Sequence, residues 1–216
     1  YLILGNMKKY IQKIFTIISI LGLISFSSSP KIKNLKIGEK VSLTSTKMKA
    51  ATGQDFSLED LVLENGMLVI FSCNTCPFVI GNNEMEGWQG RYNEIYDVCK
   101  KNRIGMVLVN SNKAKRDKGD SFTDMQAHST KNSYDAPYVL DKNHQLADAF
   151  GASTTPHVFL LNNQFQLIYK GAIDDNVSSK AGVKENWLLD ALESAGKKEL
   201  IAIAETRNSG CSIKRK

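Results

Sequence analysis

Cys73-Asn74-Thr75-Cys76 sets two thiols two residues apart, directly after the apolar run Met67 to Phe71 and directly before Pro77. That setting suits thiol–disulfide exchange. At a strand-to-helix junction, unpaired backbone N–H groups and the positive end of the helix dipole favour thiolate over thiol, and so create a nucleophile near neutral pH. A second sulfur one turn away can close a disulfide or resolve a mixed one. Pro77 fits the first helical turn, where a missing N–H is no loss. A purely structural disulfide is a poorer reading, because so small a ring restrains little of the unfolded chain. A zinc site needs a second ligand pair at similar spacing, and Cys99, Cys211, His128, His144 and His157 supply none. No cofactor and no metal is expected.

Thr155-Pro156 is the second feature. A proline that opens a strand after Gly151-Ala152-Ser153-Thr154-Thr155 is a setting for a cis peptide beside a redox pair, with the preceding backbone open to an incoming extended chain. The other candidates carry less. Cys99 lies on an apolar helix face and reads as a small buried hydrophobe. Cys211, near the C-terminal end, could reach the pair as an alternative resolving thiol, though an idle or intermolecularly paired cysteine is the plainer reading. His157, beside the proline, either lines a pocket or simply packs. Trp88, Tyr92 and Trp187 read as core.

The elements that must hold these residues alternate between strand and helix in the manner of an α/β layer. Val41, Leu43 and Met48 alternate with polar residues as an N-terminal strand. Ser57 and Asp60 form a capping-box pattern for a short helix. Met67 to Phe71 and Ile104 to Val109 read as strands buried on both faces. From Pro77 a long helical segment is expected, interrupted near Gly81 and Gly87, with Trp88, Tyr92, Ile95 and Cys99 on one face. After a polar loop from Asn110 to Gly119, a polar helix is expected over Asp120 to Lys131. A strand follows at 136–140, and a helix at 144–150 is stopped by Gly151. Strands at 156–161 and 166–170 are joined by a turn at Asn162-Asn163-Gln164. The last helix, Lys184 to Ala195, turns Trp187, Leu188 and Leu192 inward and stops at Gly196.

Before this domain, Tyr1 to Asn6 precede the first methionine, and Met7 is read as the start. Lys8, Lys9 and Lys13, the apolar stretch Ile14 to Ile24 and the small-residue exit Ser25 to Ser29 have the layout of a secretory signal peptide. A membrane span needs about 20 apolar residues, so an uncleaved anchor fits less well. No cysteine follows the run to take a lipid. The expectation is an exported protein, periplasmic or secreted, with one domain from residue 30 to residue 216. It would have no stable membrane association after cleavage. The net charge of +6 comes from lysines spread along the chain without interleaved aromatics, which argues against a nucleic-acid partner.

Leu68 to Val79, Ala152 to Leu160, Tyr169 to Asp175 and the closing Gly210-Cys211-Ser212-Ile213-Lys214 together resemble the peroxiredoxin-like (redoxin, AhpC/TSA-type) branch of the thioredoxin superfamily. The resemblance implies a thioredoxin-like fold, a central mixed sheet flanked by helices with an N-terminal strand extension, and a redox cysteine. By the position of the thioredoxin nucleophile, Cys76 is the attacking residue and Cys73 its resolving partner. Two departures stand out. Peroxidatic cysteines of that branch follow a proline by seven residues and a threonine by three, whereas Cys76 has Val69 and Cys73 there. The buried acid of the thioredoxin central strand has no counterpart in Leu68 to Phe71.

The function expected is therefore thiol–disulfide oxidoreduction with protein thiols or disulfides, or a small thiol reductant, as partners. One alternative is a thiol peroxidase acting through Cys76. Another is a copper carrier that joins the two cysteines with His128, His144 or His157.

Overall fold

The two uninterrupted apolar runs form the middle of the sheet. The computed structural model describes residue 32 and residues 34–216. In it, β3 is Met67–Ser72 and β4 is Gly105–Asn110, and every residue of both is buried. They run parallel, Val69 opposite Val107 and Phe71 opposite Val109. The remaining strands of the sheet are β1 (Met48–Ala50), β2 (Asp55–Phe56), β5 (Tyr138–Leu140), β7 (His157–Leu161) and β8 (Leu167–Gly171). The order is β2-β1-β5-β4-β3-β7-β8, with β7 antiparallel to β3. This is a thioredoxin-like mixed sheet with a strand extension at its N-terminal edge. Apart from it, β6 (Thr154–Thr155) pairs with β9 (Cys211–Ser212).

Alternation along the strands builds a core on each face. Leu68, Ile70, Leu108, Val158 and Leu160 meet helices α3 (Tyr92–Lys101) and α6 (Trp187–Lys197) through Tyr92, Ile95, Leu188 and Leu192. On the other face, Val69, Phe71, Val109 and Phe159 pack with Leu58 of α1 (Leu58–Leu61) and Phe150 of α5 (Gln145–Phe150). Phe71, Phe150 and Phe159 form a triad of edge-on rings with centroids 5.2 to 5.7 Å apart. Each such buried side chain stabilises the fold by about 1.5–3 kcal/mol from transfer alone.

Several expectations hold and others move. Ser57 caps α1 through a full capping box with Asp60. The stripe Trp88, Tyr92, Ile95 and Cys99 is buried as expected. The segment after Pro77 is interrupted at Gly81 as expected, and the break is longer than a kink. Helix α2 (Pro77–Ile80) makes a single turn and ends at Gly81, whose φ of 79° suits glycine; a Cβ there would lie 2.4 Å from the Glu86 carbonyl oxygen. Regular α-helix resumes only at Tyr92. Val41 is buried, but Leu43 is exposed with a φ of 65° in a turn closed by the Thr46 N–H, so the first strand begins at Met48. Helix α4 (Phe122–Lys131) starts two residues later than expected, since Ser121 is its cap and Asp120 lies outside it. Helix α6 runs through Gly196 and stops at Lys198, which adopts a φ of 60°. The two-residue β9 had no counterpart in the sequence pattern.

Among the described residues no helix is long and apolar enough to cross a membrane. The signal-peptide reading of Met7 to Ser29 and the boundary at residue 30 lie outside the described residues.

Candidate active site

The loops leaving the C-terminal ends of the neighbouring strands β3 and β4 meet at one end of the sheet, the usual place for chemistry in such folds. Cys73 follows β3 directly, and Cys76 is the N-cap of α2. The two residues between them are held by Asp120. Its carboxylate is fully buried and accepts the Asn74 N–H at 2.8 Å, the Thr75 hydroxyl at 2.9 Å, Asn110 Nδ2 at 2.9 Å and Asn112 Nδ2 at 3.1 Å. Tyr138 donates its hydroxyl to Asn74 Oδ1, and Asn74 Nδ2 donates to the Gly119 carbonyl. The turn that spaces the sulfurs is thus fixed by buried, fully paired polar groups, which become costly to disrupt in a low-dielectric setting.

Both sulfurs are covered, Cys73 at 1% exposure and Cys76 at 2%. Cys73 Sγ lies 3.2 Å from Thr155 Oγ1, and Cys76 Sγ lies 3.1 Å from the Thr155 carbonyl oxygen. The Thr155–Pro156 bond is cis. So the structure brings Cys73, Cys76, Thr155 and Pro156 together, and it adds Cys211, whose N–H points at Cys76 Sγ from 3.4 Å. In register, Thr155 pairs with Cys211 and Thr154 with Ser212.

The surroundings separate the two thiols. Cys76 is lowered to about 5, mainly by the hydrogen bond from the Cys73 thiol, with help from Cys211 and the Thr155 hydroxyl, against the opposing effect of burial. Cys73 is pushed up, mainly because its proton serves Cys76, then by burial and by the negative charge of Asp120. The source of the bias differs from the sequence argument. Helix α2 is only one turn long and makes no side-chain cap bond to Cys76, so hydrogen bonds to sulfur rather than a long helix dipole carry the effect.

Other candidates are engaged elsewhere. Cys99 is completely buried on α3, and burial pushes its thiol up. His157 is held neutral, its pKa lowered to about 3 by burial; Nδ1 accepts the Ser153 N–H, and the ring lies 4.4 Å from that of Phe159. His128 bonds Gln89 and Tyr134, and His144 bonds Asp148. Among the described residues, no three His, Cys, Asp or Glu side chains are grouped to hold a metal ion. Two features escaped the sequence reading. Asp120 stands where the sequence places the first residue of a polar helix, although an acid just before a Ser121–Asp124 capping box, after a polar, lysine-rich loop, is a usable signal. The docking of the tail was signalled only by Gly210-Cys211.

Residues 37–173 match the AhpC/TSA family. Among curated proteins none matches. Among solved structures, a hypothetical protein from Sinorhizobium meliloti is 24% identical with a TM-score of 0.73, the match covering 85% of this chain and 97% of that one. An uncharacterised conserved protein from Geobacillus kaustophilus is 22% identical with a TM-score of 0.70, covering 86% and 93%. The peroxidoxin BcpB from Mycobacterium tuberculosis is 12% identical with a TM-score of 0.55, covering 74% and 97%. These likenesses agree on the fold, and with the family match over most of the ordered sheet they give the assignment: the chain is a thioredoxin-fold member of the AhpC/TSA family.

Proposed function

We propose that this chain is a thiol–disulfide oxidoreductase in which Cys73 and Cys76 cycle between dithiol and disulfide. The observation that carries the reading is the placement of both sulfurs against Thr155, Cys73 Sγ 3.2 Å from its hydroxyl and Cys76 Sγ 3.1 Å from its carbonyl oxygen, beside the cis Thr155–Pro156 bond, in surroundings that lower Cys76 and raise Cys73. In the reductive direction, the Cys76 thiolate attacks one sulfur of a partner disulfide, forming a mixed disulfide and releasing a partner thiolate. Cys73 then attacks Cys76 Sγ and its proton passes to the second departing thiolate, while the first takes from water the proton that Cys76 gave up on ionising. The partner gains two electrons and two protons, and the pair is left as a disulfide. The reverse sequence oxidises a partner dithiol. Thr155 supports the step through its hydroxyl beside Cys73.

The exported location read from Met7 to Ser29 belongs to the same proposal, since thiols in an oxidising compartment pair or work in redox chemistry. A second reading, peroxide reduction at Cys76, is favoured by the family match and by the likeness to a peroxidoxin. Against it stand Val69 and Cys73 in the positions where the proline and threonine are expected. Disulfide-reductase turnover of the full chain with a dithiol reductant, compared with Cys76→Ser and with peroxide as the competing substrate, separates the two. Turnover of disulfide that vanishes in Cys76→Ser supports the proposal, and turnover of peroxide alone replaces it with the second reading.

A further inference from the structure

Strand β9 lies where an extended partner would have to lie. Thr155 is paired with Cys211, and Gly210 fits against the Thr155 backbone so closely that a Cβ on it would come within 2.4 Å of the Thr155 carbonyl oxygen. The segment is fastened on both sides. Asn208 Nδ2 donates to Thr154 Oγ1 at 2.7 Å, and the Ile213 N–H donates to the Ser153 carbonyl at 2.9 Å. Ile213 is buried in the same core cluster as Phe71, Phe150 and Phe159, the Lys214 N–H donates to Asn112 Oδ1, and Arg215 bonds both Asp148 and the Ala152 carbonyl. With β9 in place, Cys73 and Cys76 are covered and Cys211 is the half-exposed sulfur of the three.

Resting on the thiol–disulfide reading above, we propose that Cys211 is the third sulfur of a relay, which takes the disulfide from the covered Cys73–Cys76 pair and presents it to the external dithiol. From the oxidised pair, Cys211 Sγ attacks Cys76 Sγ; burial and the Cys76 sulfur push the Cys211 thiol up in the dithiol state, and the second effect goes once Cys76 is held in a disulfide. The Cys73–Cys76 bond breaks, a Cys76–Cys211 bond forms, and Cys73 leaves as a thiolate that takes the proton Cys211 gave up. No net oxidation occurs in this step. An external dithiol then attacks Cys211 Sγ and expels the Cys76 thiolate. Its second thiol closes on the first and releases Cys211, so the external dithiol loses two electrons and the protein pair gains them. Cys76 leaves readily because it is the most easily ionised of the three. The chain's own strand holds the attacking sulfur at the site, in the position a partner's cysteine would otherwise have to find by strand pairing.

Trypsin makes the relay visible. Cleavage after Arg207 and Lys214 frees a short peptide carrying Cys211, while Cys73 and Cys76 stay together on another, because no Lys or Arg lies between them. Full-chain Cys73→Ser is oxidised with oxidised glutathione, acid-quenched, blocked with N-ethylmaleimide, digested and weighed by mass spectrometry. We expect the cross-linked peptide pair as the main product. Adding Gly210→Val, which drives β9 off Thr155, should reduce it roughly tenfold. In the otherwise intact chain, Cys211→Ser should still form the Cys73–Cys76 disulfide, but its reduction by dithiothreitol should slow roughly tenfold. An unchanged or faster reduction in Cys211→Ser, or no cross-link in Cys73→Ser, overturns the relay while leaving the pair's own chemistry standing. Loss of the Cys73–Cys76 disulfide itself in the unaltered chain would instead remove the reading on which the relay rests.

Discussion

Asp120 accepts the main-chain N–H of Asn74 at 2.8 Å, tying a buried carboxylate to the backbone between the two sulfurs. The central strand of this chain carries no acid, and the one beside the pair comes instead from the loop that follows β4. Its oxygens hold the turn and touch neither sulfur within the bonds described above, so it acts on the pair through position and through its charge.

Asp120→Asn keeps the volume but replaces an acceptor oxygen with a donor in a site where Asn74, Thr75, Asn110 and Asn112 already donate. We expect a loss of about 1–3 kcal/mol in urea unfolding. Its negative charge also contributes to the raised Cys73 value, so the pH at which Cys73 ionises should move down in this variant. A purely structural role would leave that titration where it is.

Thr155→Val removes the hydroxyl beside Cys73 while leaving the main-chain pairing of Thr155 with Cys211 available. That hydroxyl lowers both thiols. Both should therefore titrate higher; Cys76, starting near 5, stays ionised at neutral pH, so the acid limb of the disulfide-reduction rate should move up by about one pH unit, the scale of one hydrogen bond to a charged group. Stopped-flow reduction of a small aromatic disulfide reads it directly.

The reduced protein should grow more stable as pH rises from about 5 toward the ordinary thiol range near 9. Cys76 is deprotonated in the folded state over that window and protonated in the unfolded chain, so the unfolded chain binds the extra proton and loses ground as protons become scarce. The gain is at most about 1.4 kcal/mol per pH unit for one such group. It disappears as pH falls through about 5. Urea midpoints of the reduced chain against pH should show the slope, and Cys76→Ser should flatten it.

Phe150→Ala opens a hole in the triad with Phe71 and Phe159. The expected loss is about 3–5 kcal/mol, read as a lower urea midpoint with an unchanged slope. Thiol titration in the surviving folded fraction should be unchanged, since the triad lies on the face of the sheet away from Tyr92 and α3.

Much of this site was legible because its parts sit where local rules are strong. A fully apolar run such as Met67 to Phe71 can only be a strand covered on both sides or a buried helix, and its length and bounding turn decide for the strand. Cys73 and Cys76 follow it by adjacency, and Thr155-Pro156 by the strand that proline opens. The parts that were not legible depend on non-local contact. Asp120 has the same local signature as any residue ahead of a capped helix, and its four donors come from two stretches of chain, one of them 45 residues away. A two-residue strand such as Cys211–Ser212 has no period to read. The two glycines mark the break in the helical segment after Pro77, but not its length, because the apolar stripe continues through Trp88 while Gly81 and Gly87 lie backbone to backbone and Trp88 donates to Asp174.

The order in which the two sulfurs ionise is open to direct observation by carbon-13 NMR of the reduced chain with labelled cysteine Cβ atoms, assigned by single substitutions and followed across pH. Cys76 should titrate near 5, with Cys73 still protonated through the ordinary thiol range. If both titrate together as ordinary thiols do, or if Cys73 loses its proton first, Cys76 is not the attacking residue and the exchange mechanism proposed for this site is wrong.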